Sequence, residues 1–176
     1  GMAVAELNQA DRFLLVGSFL RKDHPLIASR IRQAVKRGAE ASVVHSADDE
    51  LLMKIANKAI VTPSAMVTTM AQILQALAAE KNASVDASVQ ALVQAAPVSA
   101  TAQAIARSLA RGSNTLILLG NFAQQHPQAA QLQLLAQQIA ASLRQLGQSS
   151  GIRVAVVVGG IPIKEDYKAL AAWPNV

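Results

Sequence analysis

The stretch Leu15-Val-Gly-Ser-Phe19 with His24-Pro25 returns later as Leu118-Leu-Gly-Asn-Phe122 with His126-Pro127, one residue shorter in the loop. Each copy grows out of a run of aliphatic residues of strand length, Arg12–Val16 and Thr115–Leu119. Each His-Pro opens a stretch with helical spacing, where the missing proline N–H costs nothing. The pattern is an internal duplication of a strand–loop–helix–strand unit. Strands apolar at nearly every position are covered on both faces, so both copies belong in the middle of a sheet. Such crossovers make parallel pairs and are nearly always right-handed. An α/β fold with a mainly parallel sheet built from two related halves is therefore expected.

The remaining elements fit around this frame. A helix is expected over 25–37, with Ile27, Ile31, Ala34 and Val35 inward and Gly38 as its stop. A strand over Ala41–His45 and another over Lys58–Val61 come next. Val67, Met70, Ile73, Leu74 and Leu77 set a helix after Ser64, and two more are expected near 84–96 and 99–111. Leu132, Leu135, Ala136, Ile139 and Leu143 mark the helix of the second unit, and Arg153–Val158 its closing strand. The chain thus reads as one domain over 10–176 with a helical insert at 63–111.

Composition removes several chemistries. The 176 residues contain no cysteine, which excludes disulfides, thiolate zinc sites, iron–sulfur ligation and cysteine nucleophiles from this chain. No side-chain carboxylate lies between Asp86 and Glu165, so paired-carboxylate catalysis has no home there. The longest apolar run, Val154–Ile163, contains Gly159, Gly160 and Pro162 and is far below the ~18 residues of a membrane span. Gly1-Met2 reads as a tag remnant and the whole as an excised domain without a signal peptide.

A doubly wound sheet binds ligands at the carboxyl ends of its strands, here the loops Gly17-Ser18-Phe19 and Gly120-Asn121-Phe122. Neither loop has a GxGxxG pattern or a Walker lysine, and a phenylalanine stands where phosphate-binding groups belong. His24 and His126 are two histidines without the further ligands a metal site needs, and they are expected to pack or cap helix starts instead of binding metal. His45 ends a strand and no Ser/His/Asp arrangement can be assembled around it, while Asp48-Asp49-Glu50 reads as a solvated turn and helix start. No catalytic residue and no metal site can be assembled. Six of the 16 basic residues, among them Arg30, Arg32, Lys36 and Arg37, lie between Arg21 and Arg37 and mark a partner surface. With 3% aromatics there is no stacking platform for single-stranded nucleic acid.

Val16-Gly-Ser-Phe-Leu-Arg-Lys-Asp-His-Pro25, Arg30-Ile-Arg-Gln-Ala34, Lys36-Arg-Gly-Ala39, His45-Ser46, Asp48-Asp-Glu-Leu-Leu52, Ala56–Val61, Leu118–Asn121 and Gln125–Ala130 together carry a resemblance. Over about 10–140 the chain resembles the large iron–sulfur subunit of bacterial NADH-quinone oxidoreductase, respiratory complex I. The resemblance implies its molybdopterin-oxidoreductase-like domain, a Rossmann-like fold. The wider superfamily reads G-S-N-P-x-x-x-H-P after the first strand and D-P-R after the next, holding the guanine dinucleotide of a molybdenum cofactor. Here Gly17, Ser18, His24 and Pro25 keep the register. Phe19-Leu20 replaces Asn-Pro, and His45-Ser46-Ala47 replaces Asp-Pro-Arg. The resemblance implies a degenerate molybdopterin site, no cofactor in this fragment, and iron–sulfur clusters elsewhere in the parent subunit. It also implies a non-catalytic role in electron transport, with other complex I subunits as partners, peripheral on the cytoplasmic face of the inner membrane without direct insertion. The alternatives are an active binder of molybdopterin guanine dinucleotide or another nucleotide, and nucleic-acid binding through the basic helix. From about 150 the tail, Ile152–Val156 with Gly159-Gly160 and Ile163-Lys-Glu-Asp166, resembles a segment of DEAD-box helicases, with neither the Walker loop nor the acidic motif that helicase chemistry needs.

Overall fold

Phe13–Val16 and Leu116–Leu119 have no polar side chain to turn toward water, so both faces of each strand must be covered. In the computed structural model, which describes residues 4–81, 87–94, 97–145 and 153–156, these two strands lie side by side. Five parallel strands form one sheet: β1 (Arg12–Val16), β2 (Glu40–His45), β3 (Asn57–Ile60), β4 (Thr115–Leu119) and β5 (Arg153–Val156). Their spatial order is β3-β2-β1-β4-β5. The helices are α1 (Leu20–Asp23), α2 (Pro25–Lys36), α3 (Met66–Lys81), α4 (Ala87–Gln94), α5 (Ala100–Ala110), α6 (Asn121–Gln124) and α7 (Ala129–Gln145). The expected Rossmann-like α/β class is the observed one.

The sequence repeat is also a spatial one. Leu15 pairs with Leu118 and Val16 with Leu119, so the matched residues of the two units are register partners in the sheet. From this shared centre β1 leads outward through α2 to β2, and β4 leads the other way through α7 to β5. Right-handed crossovers that leave in opposite directions must put their helices on opposite faces. Ala28, Ile31 and Ala34 of α2 pack with Phe13, Leu15, Leu116 and Leu118. Leu132, Leu135 and Ile139 of α7 pack with Leu14, Val16, Ile117 and Leu119. The period of two along each strand thus divides the core into two layers.

The helices between β3 and β4 belong to the α7 layer. Met66, Met70, Ile73, Leu74 and Leu77 of α3 are all buried there, against Ile105 and Leu109 of α5. Ser99 caps α5, accepting from Ala102 N at 3.2 Å. Gly38, at φ +105°, ends α2 as expected, and Ala39 N closes on Ala34 O. One expectation is corrected: the loop after His45 forms no helix at Asp48-Asp49-Glu50, and β2 passes to β3 without one. His24 occupies the N-cap position of α2, and its side chain makes no capping bond. The helicase-like tail beyond Val156, the ends of the helix expected at 84–96 and Gly1-Met2 lie outside the described residues.

At the amino end of the sheet, Asp11 accepts hydrogen bonds from Ser113 N, Ser113 Oγ and Asn114 N at 2.9, 2.7 and 3.1 Å. Burial pushes its carboxyl up, but these bonds and Arg12 outweigh it and hold the carboxyl below its ordinary value. Arg12 donates to Ser108 O at 3.0 Å and Ser108 Oγ donates to Glu40 at 2.6 Å. Strand ends from both units and α5 are tied together there.

Candidate functional site

The strand order reverses between β1 and β4, so the crevice of a doubly wound sheet opens above their carboxyl ends. Both glycine loops meet there. Gly17 turns the chain at φ +54°, a left-handed conformation that side chains rarely adopt. Its N–H is held by Val44 O at 2.9 Å, and Gly120 N donates to Val16 O at 2.9 Å. The approach leaves no room for a side chain: a Cβ on Gly17 would lie 2.6 Å from Ala123 N, and one on Gly120 would lie 2.3 Å from Ser18 Cβ. The first turn of α6 is closed by the opposite loop, because Ala123 N donates to Gly17 O at 3.2 Å. A carbonyl therefore sits where amides of a nucleotide-binding turn would receive phosphate.

Three rings stand over this junction. Phe19 meets His45 edge-on with centroids 4.5 Å apart, and His45 stacks on Phe122 at 5.2 Å. Phe19 and Phe122 make a T-shaped pair at 6.3 Å. Each contact falls in the range of favourable aromatic pairs, about 0.5–1.5 kcal/mol apiece. Lys22 Nζ lies 5.3 Å from the Phe19 centroid and 3.4 Å from Asp49 Oδ1.

The tautomer of His45 follows from its partner. Ala47 N–H donates to His45 Nδ1 at 2.9 Å, so the hydrogen of the neutral ring is on Nε2. The residue is only 2% exposed, and burial holds its pKa below the ordinary 6.5, with Asp49 and then Asp23 pulling the other way. His24 is shifted in the same direction by burial, opposed by Asp23. Beside His45 lies a cavity of about 10 Å³ lined by Ser18, Asp48, Asp49 and Lys58 among others. Ser18 Oγ, His45 Nε2 and Asp49 Oδ2 are buried without a hydrogen-bond partner among the described residues. The space is that of one water molecule.

The sequence-derived residues divide into two groups. Gly17, Ser18, Phe19, His45, Gly120 and Asn121 come together at the junction, with Ser46 in the bend after β2 and His24-Pro25 where α1 passes into α2. Arg30, Arg32, Lys36 and Arg37 run away from it along α2, and Arg37 ends against Asn8 O at 3.1 Å. His126 is a local organiser: Gln128 N donates to its Nδ1 at 3.0 Å, and its Nε2 bonds Pro63 O at 2.9 Å. Among the described residues no group of three metal-ligating side chains is present.

Residues 1–160 match the model of the molybdopterin oxidoreductases. The chain belongs to the molybdopterin oxidoreductase family. No curated protein matches it. The ring cluster and the loop contacts lie at the carboxyl ends of β1, β2 and β4. Phe122, which the repeat places opposite Phe19, lies in the second of the two loops read from the sequence, and the structure brings it into the ring cluster. The pairing of Lys22 with Asp49 had no signal in the sequence, because it joins α1 to the loop after β2.

Proposed function

We propose that this family member is a non-catalytic structural domain, the molybdopterin-oxidoreductase-like part of the large iron–sulfur subunit in the peripheral arm of complex I. Its dinucleotide crevice is filled by its own side chains. The observation that carries this reading is the Phe19–His45–Phe122 cluster. Phe19 stands where the superfamily has a polar ligand residue, His45 where it has an aspartate, and Leu20, in place of a proline, is fully buried in the core.

Charge supports it, and the cavity beside His45 holds about 10 Å³, the space of one water molecule. Asp23 and Asp49 stand close enough to act on His45, and they would repel a pyrophosphate. The residues present do not fit the cofactor. Electron transfer then belongs to iron–sulfur segments elsewhere in the parent subunit. No helix among the described residues is long and apolar enough to cross a membrane, and attachment to the cytoplasmic face of the inner membrane would come through other subunits.

Co-migration tests the assignment. An epitope-tagged chain in gently solubilised membranes is expected to run on a native gel with the band that stains for NADH dehydrogenase activity. Migration apart from that band would overturn the assignment to complex I.

A further inference from the structure

The outer face of α2 carries more unneutralised charge than the fold needs. No acidic residue occurs from Pro25 to Lys36, and Arg30, Lys36 and Arg37 are exposed. The ion pairs among the described residues use Arg12, Lys22, Lys58 and Arg107, and none of the α2 cations. In the loop after β2, Asp48 is paired with Lys58 at 2.6 Å and Asp49 with Lys22 at 3.4 Å. In line with the cations is Leu26, 77% exposed. Leu26, Arg30, Gln33 and Arg37 are all exposed and recur at steps of four, three and four, one stripe about 17 Å long. The opposite stripe, Ala28, Ile31 and Ala34, is anchored in the core, so the face is presented rigidly.

We infer that this stripe of α2 is a docking surface for an acidic segment of a partner protein, with an apolar contact on Leu26. Arginine forks match carboxylates bidentately, and both cations of the stripe, Arg30 and Arg37, are arginines. Polyphosphate backbones offer nothing to an exposed leucine at the end of the row. A lipid surface would gain little from one leucine, with no aromatic on the helix to add to it. A protein surface can satisfy both halves of the stripe at once.

Placing a photo-crosslinking benzoylphenylalanine at Gln33 in the chain as its cell makes it, followed by mass spectrometry of the adducts, tests the inference. The expected adduct is a protein segment rich in Asp and Glu. Its yield should fall about tenfold in an Arg30→Glu, Arg37→Glu background that melts like wild type, and fall less with Arg30→Lys, which keeps the charge and loses the fork. Adducts to lipid or nucleic acid, to a neutral or basic segment, yields insensitive to charge reversal, or no adduct would each overturn it. An acidic segment from a protein outside complex I would support the surface and contradict the assignment above. Co-migration with complex I but no adduct would do the reverse.

Discussion

Gly17 is the residue on which the junction turns. Its positive φ and the 2.6 Å between its would-be Cβ and Ala123 N make even alanine costly, because the obstacle is backbone. Gly17→Ala is expected to destabilise the chain by about 1–3 kcal/mol, read from urea melts. His45 sets a pH dependence whose sign follows from its neutral ring. The folded chain refuses a proton that the unfolded imidazole takes up, so stability is full above about 6.5 and is lost as pH falls below that value. The slope is at most about 1.4 kcal/mol per pH unit per group, and His24 adds to it in the same direction. His45→Gln is expected to shrink the loss of stability between pH 7.5 and 5.5, measured by urea melts at the two pH values.

Among the elements, the polar ties at the amino end of the sheet hold β1 to the turn before β4. Asp11→Ala leaves Ser113 and Asn114 without their acceptor and is expected to cost about 1–3 kcal/mol by chemical denaturation, with the fold retained. Much of the element pattern was legible in the sequence for a physical reason. Strands covered on both faces are written as unbroken aliphatic runs, and α7 writes its inner stripe as Leu132, Leu135, Ile139 and Leu143. The four-residue α1 and α6 were not legible, since a single turn has no period to detect. Nor was the helix-free passage from β2 to β3, where acids suited to a helix start engage Lys22 and Lys58 instead. The candidate site was half legible. The repeat located both glycine loops, but that Phe19, His45 and Phe122 touch depends on the strand order β2-β1-β4, which sequence does not state.

At the scale of the molecule, two related units meet at a shared pair of strands, and the doubly wound architecture that would open a ligand crevice is intact. On the proposed reading, the rings, the closing carbonyl and the acids keep a pyrophosphate out of that crevice. The most direct test is thermal melting of the purified chain with millimolar GDP and, separately, micromolar molybdopterin guanine dinucleotide. The filled crevice predicts no shift with either. A saturable rise of about 5 °C or more, the effect of a ligand at roughly a hundredfold its Kd and one abolished by Gly17→Val, would contradict it.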